Sequence, residues 1–192
     1  MKPRRPATAS CLRAVLEPPF FDRPADQVAR DLLGKALLRR IGRNHRTFVI
    51  TETEAYLGPH DLACHSARGR TPRTEVMFGP PGTLYIYLVC GLHWMLNVVT
   101  GPPGSAVLLR SAGGVLGPGR LGAAVAITGA INGKAANRST GLWFEDRPAS
   151  GRVAATARIG VDYAGRFWSR RRLRFVFAPS NFPPEPAIRP LS

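Results

Sequence analysis

The chain has 192 residues, of which 27 are Lys or Arg and 12 are Asp or Glu, so its formal net charge at pH 7 is +15. This length excludes two domains of ordinary size, and a hydrophobic content of 44% excludes a solvated polyelectrolyte. The positive excess indicates a polyanionic partner such as nucleic acid, because bound Lys and Arg displace the counterions condensed on phosphates. A bias towards Arg or a need for solubility is the alternative explanation.

The cysteines and the apolar runs indicate where such a protein works. The chain has three cysteines, Cys11, Cys64 and Cys90, an odd number without the spacing of a disulfide scaffold. Residues 1–16 lack the apolar segment of a signal peptide, and no run approaches the roughly 20 apolar residues of a membrane span. We therefore expect a cytoplasmic protein of the bacterial type that is associated with the nucleoid and does not contact membranes.

The predicted elements begin with a flexible basic arm, residues 1–16, followed by a single domain, residues 17–192. The segment from Phe20 to Ile41 predicts a helix that Gly34 ends and then a strand. Alternating β-branched residues predict a strand over 46–56. The loop over 57–82 is rich in Pro, Gly and Arg, and a loop of that length in a small domain is usually functional.

The second half of the chain predicts short strands. Residues 83–100 predict a hairpin that turns at Gly91, and residues 119–129 predict a helix. Further strands are predicted within 105–112, 141–148, 153–165 and 171–179. Because no regular strand–helix–strand repeat occurs, we predict the α+β class, a single mixed domain with an antiparallel sheet and peripheral helices.

Three acids, Glu52, Glu54 and Asp61, fall within ten positions of this basic chain. Side chains two apart on a strand share a face, so Glu52, Glu54 and Tyr56 are expected on one face. A solvated edge strand is the ordinary explanation for such a pair. The neighbouring rings, the long loop and the positive charge favour a functional carboxylate, and activation of a water molecule as a general base is the simplest role.

Two other chemistries could use the same segment, a metal site and a pair of carboxylates. His60, Cys64 and His65 lie close together, but the chain has no CxxC, no HExxH and no second cluster to complete a zinc site, so we predict no metal. A pair of carboxylates about 7 Å apart on a strand also resembles the arrangement of sugar hydrolases. That idea is weaker, because one strand rarely presents two groups to opposite sides of a bond.

Five segments in this order resemble the alkyladenine (3-methyladenine) DNA glycosylase family: FFDRPADQVARDLLGKALLRR, ITETEAYLGPHDLACHSARGRTPR, MFGPPGTLYIYLVCGLHWMLNVV, AVLLR and ARIGVDYAG. The resemblance covers roughly residues 17–178. It implies a curved antiparallel sheet with a protruding hairpin that enters the minor groove of duplex DNA. It also implies base excision repair without metal or cofactor, in which a damaged purine is flipped out of the helix and its glycosidic bond is hydrolysed.

The resemblance also implies roles for individual residues. Glu54 resembles the catalytic base, and Arg110 resembles the arginine that helps to place the water. The base pocket would comprise the rings of Tyr56 and His65, the ring of Tyr87 on the other side of the base, the purine-screening Asn97 and the backbone near Ile159. The residues expected to contact DNA are Arg68, Arg70 and Arg73 in the loop, and Cys90, Gly91, Leu92 and His93 at the hairpin tip.

Some of these residues have structural alternatives. Tyr87 fits a core position, Asn97 fits a residue that bonds the backbone, and Arg110 fits an ion-pair partner of Glu52 or Glu54. Members of the family usually carry a Tyr at the hairpin tip, where this chain has Cys90, and a thiol cannot stack across the gap left by a flipped base. Either Leu92, His93 or Trp94 fills that gap, or the base is held less tightly.

The sequence thus predicts a monomeric, monofunctional DNA glycosylase that acts on alkylated purines in duplex DNA and leaves an abasic site. No Lys in the motif is placed to form a Schiff base with the sugar. The candidate substrates are 3-methyladenine, 7-methylguanine, hypoxanthine and ethenoadenine. The alternatives are a damaged-DNA-binding protein with little turnover and a general basic nucleic-acid binder.

Overall fold

The computed structural model describes residues 14–179. Eight strands run over Ala36–Ile41 (β1), Asn44–Tyr56 (β2), Leu84–Val89 (β3), His93–Val99 (β4), Ala106–Ala112 (β5), Leu142–Glu145 (β6), Gly151–Thr156 (β7) and Arg174–Pro179 (β8). Four short helices run over Pro18–Phe21 (α1), Ala25–Asp31 (α2), Pro118–Ala124 (α3) and Gly165–Ser169 (α4). None of the helices within 14–179 is long and apolar enough to cross a membrane.

The strands form a curled antiparallel sheet in the order β3-β4-β5-β2-β1-β6, with β8 paired to β2 and β7 paired to β8. The 13-residue β2 is the spine of the sheet, because its first half pairs with β1 and its second half pairs with both β5 and β8. A register shift between Ile50 and Thr53 bends β2 where the pairing with β5 begins. The predicted α+β class and single mixed domain with an antiparallel sheet are confirmed.

The main core lies between the sheet and helices α2 and α3. It is built around Phe21, Leu37, Ile50, Leu109 and Phe144, each at most 1% exposed. A smaller cluster of Cys64, Met77, Tyr85, Val99 and Ala106 lies beneath the 57–82 loop. The apolar area buried in this second cluster holds the loop against the end of the sheet that carries the acidic segment, residues 52–61.

The 57–82 loop is organised, because 3₁₀ turns occupy His65–Arg68 and Glu75–Phe78. The hydroxyl of Ser66 donates to the carbonyl of Gly104 over 2.7 Å. Gly104 has φ +83°, and a side chain there would meet Phe78 and Pro59 at 3.0–3.1 Å. Only glycine therefore allows the loop to pack this closely on the β4–β5 connection.

The extents of several predicted elements need correction, beginning with the helix predicted from Phe20 to Gly34, which is α1 and α2 with a break between Phe21 and Ala25. The helix predicted over 119–129 is the shorter α3, because the chain turns at Ala126, which has φ +47°. The strand predicted within 153–165 ends at Thr156 and is followed by turns. Within the predicted arm 1–16, residues 14–16 lie along the edge strand β6, and the N–H of Leu16 donates to the carbonyl of Phe144 over 2.9 Å. The rest of the predicted arm, residues 1–13, lies outside the described residues.

Candidate active site

A cavity of about 460 Å³ opens where β2 ends beside the β3–β4 hairpin. Its wall combines the rings of Tyr56, His65, Tyr85 and Tyr87, the polar side chains of Asn97, Arg73 and Arg110, and the chain at Ile159, Gly160 and Cys90. A cleft that combines aromatic rings with a few convergent polar groups is the usual form of a small-molecule site.

Glu54 lies directly behind this wall and is 0% exposed. The N–H of Ile159 donates to Oε1 over 2.9 Å, the hydroxyl of Tyr56 donates to Oε2 over 2.9 Å, and Nη1 of Arg110 lies 3.2 Å from Oε2. All three partners line the cavity. A carboxylate offers about four acceptor positions, so these contacts leave one for a further donor such as a water molecule.

The hydroxyl of Tyr56 is a permanent donor in this arrangement. Burial, and then the nearby charge of Glu54, raise the pKa of Tyr56 well above its ordinary value. The phenol therefore stays protonated at physiological pH and donates its hydrogen bond to the carboxylate of Glu54. This contact confirms that Glu54 and Tyr56 share one face of β2, as the alternation predicts.

Glu52 lies on the same face but serves a different purpose. Its carboxylate accepts hydrogen bonds from Ser111 Oγ at 2.7 Å, Arg174 Nη1 at 2.8 Å and Arg110 Nε at 2.9 Å. Burial raises its pKa, but the bonds from Ser111, Arg174 and Arg110 outweigh burial and leave the pKa of Glu52 below its ordinary value. Glu52 therefore anchors Arg110, and among the described residues no Asp or Glu side chain lines the cavity itself.

Three of the rings that line the cavity, those of His65, Tyr85 and Tyr87, contact one another and are called the aromatic wall below. The centroids of His65 and Tyr87 are 4.7 Å apart, those of Tyr85 and Tyr87 are 5.2 Å apart, and Nδ1 of His65 lies 2.9 Å from the hydroxyl of Tyr85. Tyr56 stands apart from this wall, with the guanidinium of Arg158 4.8 Å from its ring centroid. His65 is thus grouped with Tyr87 rather than with Tyr56.

His65 is neutral at physiological pH. Burial, helped by the charges of Arg73 and Arg68, lowers the pKa of His65 from 6.5 to about 4. The imidazole therefore presents an uncharged ring to the cavity, and a cationic ligand would meet no repulsion from it.

The low pKa of His65 predicts a pH-dependent loss of stability. Because the folded-state pKa lies below the unfolded value, protons favour the unfolded chain as the pH falls from about 6.5 to about 4. Between pH 7 and pH 4.5, we expect the free energy of unfolding to fall by about 1 kcal/mol less in His65→Gln than in wild type. This value allows for solvent screening at a half-buried ring. Urea denaturation at both pH values measures the difference, and equal losses in the two proteins would contradict the assignment.

Asn97 is 3% exposed and lines the cavity from β4. Its Nδ2 donates to the backbone carbonyl of Tyr85 over 2.9 Å, directly across the β3–β4 pairing. This bond agrees with the alternative in which Asn97 bonds the backbone, and it uses one of the two N–H groups of the amide.

The hairpin tip consists of Cys90, Gly91 and Leu92 between β3 and β4. Cys90 is exposed, has φ +51° and lines the cavity. Leu92 is 75% exposed, whereas the Trp94 ring packs against the main core and the His93 ring lies against Gly119 of α3. Of the three candidates to replace the usual Tyr, Leu92 and His93 are exposed at the tip, whereas Trp94 is partly buried.

The three loop arginines occupy different positions. Arg68 and Arg70 are exposed, and Arg70 forms an exposed ion pair with Glu75 at 3.2 Å. The guanidinium of Arg73 lies 5.1 Å from the Tyr87 ring centroid, at the cavity wall. Arg73 is therefore nearest to the cavity, while Arg68 and Arg70 lie farther out on the loop surface.

The three residues considered as metal ligands do not converge. The His60 ring lies 5.9 Å from the ring of Trp168, and the buried thiol of Cys64 contacts the Ser66 hydroxyl at 3.1 Å. Among residues 14–179, no three His, Cys, Asp or Glu side chains come together as metal ligands would.

Sequence reasoning missed two contributors to the site. Tyr85 could have been found from its spacing, because it lies two residues before Tyr87 on β3. Arg158 joins Asp61 in a buried ion pair of 97 residues' separation. The sequence indicated the acid of this pair, Asp61, because it falls close to Glu52 and Glu54. Nothing in the spacing identifies its cation, Arg158.

Comparison with known proteins identifies the family. The family model described as Methylpurine-DNA glycosylase (MPG) matches residues 19–116 and 114–181. Proteins provisionally named 3-methyladenine DNA glycosylase are similar over most of the chain. The one from Myxococcus xanthus is 45% identical over 170 residues, 81% of this chain and 86% of the relative, and the one from Methanocella arvoryzae is 43% identical over 173 residues, 79% and 86% respectively. A relative from Legionella pneumophila strain Corby is 41% identical over 174 residues, 85% of this chain and 94% of its own length. The chain therefore belongs to the methylpurine-DNA glycosylase family, as its motifs predict, and is a DNA glycosylase, a hydrolase of N-glycosyl bonds.

Proposed function

We propose that this monomeric enzyme flips an alkylated purine out of duplex DNA into the cavity and excises it with a water molecule activated by Glu54. The observation that carries the proposal is the buried carboxylate of Glu54, which is held by three groups that all line the cavity. Because the carboxylate lies behind those groups, a water molecule bonded to Glu54 would attack a sugar carbon placed on the cavity side of Tyr56, Arg110 and Ile159.

The chemistry of alkylated purines fits one carboxylate. A purine methylated at N3 or N7 carries a positive charge, so it is already a good leaving group and needs no strong acid. The enzyme needs a base to deprotonate water and a negative charge to stabilise the oxocarbenium character at the sugar carbon, and Glu54 supplies both. Glu52, held by three donors away from the cavity, is not required as a second carboxylate.

The aromatic wall supplies selectivity for cationic bases. A cation over an aromatic face gains roughly 0.5 to 2 kcal/mol. In our proposal the flipped base stacks between Tyr56 on one side and His65 with Tyr87 on the other, and the neutral state of His65 preserves this attraction. Asn97 screens the purine edge with its fixed amide.

The DNA would lie across the hairpin tip and the loop arginines. We propose that Arg68, Arg70 and Arg73 neutralise phosphates beside the flipped nucleotide, because phosphate contacts fix the register of a protein on a duplex. The tip residues Cys90 to His93 would enter the groove, with Leu92 as the apolar wedge. Flipping costs a few kcal/mol, and less at a damaged pair, which adds to the selectivity.

Release of free bases under single-turnover conditions tests this function. Methylated duplex DNA supplies 3-methyladenine and 7-methylguanine, and oligonucleotides supply hypoxanthine, ethenoadenine and undamaged purines. We expect release of the alkylated bases in the presence of EDTA, with an intact but alkali-labile abasic strand. Tight binding to the lesions without release of any base would favour the damaged-DNA-binding protein, and equal binding to undamaged duplex would favour a general nucleic-acid binder.

The hairpin tip yields a further prediction. Because Cys90 cannot stack across the gap, we expect Cys90→Tyr to bind duplex with a lesion at least about 5-fold more tightly, the equivalent of about 1 kcal/mol of stacking. Cys90→Ser, which adds no ring, is the matched control. Binding isotherms and excision rates for the three proteins decide the matter, and unchanged affinity and excision in Cys90→Tyr would show that this position does not limit retention of the base.

A further inference from the structure

Asp61 and Arg158 form a buried ion pair that the reaction scheme above does not use. Oδ2 of Asp61 lies 2.5 Å from Nη1 of Arg158, and Oδ1 lies 2.8 Å from Nη2, so the contact is bidentate. Both side chains are 0% exposed. Removing two charges from water is costly unless every group finds partners, so a pair this deep in a small domain requires a structural or functional reason.

The pair connects two distant parts of the chain at the acidic segment. Asp61 also accepts the N–H groups of Leu57 and Ala63, each at 3.1 Å, which fixes the start of the 57–82 loop. Nη1 of Arg158 also donates to the carbonyl of Ala55 over 2.9 Å, and Ala55 is the residue before Tyr56 at the end of strand β2. The segment carrying Arg158 is therefore fastened to the strand that carries Glu54.

One consequence of this fastening concerns the carboxylate directly. The residue after Arg158 is Ile159, whose N–H donates to Oε1 of Glu54 over 2.9 Å. Ile159 itself is 52% exposed, so its own side chain does little to hold the backbone in place. Arg158, which is buried and bonded to Asp61 and Ala55, therefore fixes the backbone that places this amide beside the carboxylate.

The second consequence concerns the ring that donates to the other carboxylate oxygen. The guanidinium of Arg158 lies 4.8 Å from the Tyr56 ring centroid. Tyr56 lines the cavity and Arg158 does not, so the guanidinium supports the ring from behind. Burial lowers the pKa of Arg158, but the bonds and charge of Asp61 outweigh burial and raise the pKa above its ordinary value, so the support stays charged.

We propose that Asp61 and Arg158 are positioning residues for excision, which hold the Ile159 amide and the Tyr56 ring against Glu54. The third contact of Glu54 comes from Arg110, which Glu52 anchors independently. The inference rests on the proposed function, because it assigns the pair to the excision step rather than to stability alone. It predicts that disturbing the pair slows the chemistry more than it weakens binding of the lesion.

Asp61→Asn and Arg158→Lys test the assignment with two readouts. We expect Asp61→Asn to lower the single-turnover rate of 7-methylguanine release about 10- to 100-fold, because a displacement of about 1 Å at a reacting centre can cost 10²-fold. The lesion Kd should stay within about 3-fold of wild type. The amide proton resonance of Ile159 should move towards its position in Glu54→Gln, since both variants weaken the same N–H to carboxylate contact.

Arg158→Lys keeps the charge but not the bidentate contact, so it should show the same amide shift with a smaller loss of rate. It also decides the test if Asp61→Asn does not fold. Asp31→Asn is the matched control, because it removes the exposed Arg23–Asp31 pair, 2.8 Å long, and should keep the wild-type rate and the wild-type Ile159 resonance.

The outcomes separate this inference from the proposed function. A wild-type rate and an unmoved Ile159 resonance in the folded variants would overturn the positioning role. Equal losses of rate and lesion affinity would also overturn it, because they would indicate general damage to the site. Failure of the wild-type enzyme to release any base, together with a shifted Ile159 resonance in the variants, would overturn the proposed reaction and leave the placement of the amide supported.

Discussion

Glu54→Gln is expected to reduce single-turnover release of an alkylated purine by about 10²- to 10⁴-fold, the range that a positioned general base contributes. The amide has nearly the size of the carboxylate but cannot accept a proton from water or offset positive charge at the sugar carbon. It also offers one oxygen where Tyr56 and Ile159 now bond two. The aromatic wall is untouched, so we expect the lesion Kd to change by no more than a few-fold.

Rates of base release and lesion affinities, measured for matched variants, check this expectation. Glu75→Gln also removes one negative charge, but at an exposed site where the carboxylate lies 3.2 Å from Arg70, and it should retain the wild-type rate. Glu52→Gln should reduce the rate less than Glu54→Gln, because Glu52 only anchors Arg110, whereas Glu54 contacts three groups that line the cavity. A larger loss in Glu52→Gln than in Glu54→Gln would reverse the assignment of the two carboxylates.

Arg110→Met is expected to lower the free energy of unfolding by roughly 3 to 5 kcal/mol, because it leaves the buried carboxylate of Glu54 without its cation and removes one of the two cations that pair with Glu52. The guanidinium contacts Glu52 at 2.9 Å and Glu54 at 3.2 Å, and its side chain is 10% exposed. Since small domains are stable by about 5 to 15 kcal/mol, a loss of this size removes a large part of the stability.

Urea unfolding with Arg70→Met as the control measures this effect. Arg70 also pairs with a glutamate, but both side chains are more than half exposed, so its loss should cost no more than about 1 kcal/mol. Equal midpoints for the two variants would show that Arg110 does not neutralise the acidic segment, and the structural explanation for a cluster of acids in a basic chain would fail.

The strands that carry the site were predictable because their patterns are local. Alternation placed Glu52, Glu54 and Tyr56 on one face of β2, and the aromatic run on either side of Gly91 predicted the β3–β4 hairpin. Helix α3 was predicted too long, since a run of small apolar residues does not show where the chain turns; the left-handed conformation of Ala126 marks that point.

The rest of the site depends on contacts between distant residues. The 57–82 loop takes its shape from bonds such as Ser66 to Gly104, and the pair of Asp61 and Arg158 spans 97 positions. No periodicity encodes such pairs. The roles given to Asn97, Arg110 and Ile159 came from the resemblance of whole motifs to a family, and the structure adds how Arg110 and Ile159 contact one carboxylate.

The structure of Glu54→Gln bound to duplex DNA with a single 7-methylguanine, on a 2′-fluoro sugar that resists depurination, tests the central claim most directly. We expect the methylated base outside the helix, between the ring of Tyr56 and the rings of His65 and Tyr87, with its sugar carbon facing position 54 and Leu92 in the gap. A base that stays stacked in the helix, or DNA bound away from the hairpin and the cavity, would contradict the proposed reaction.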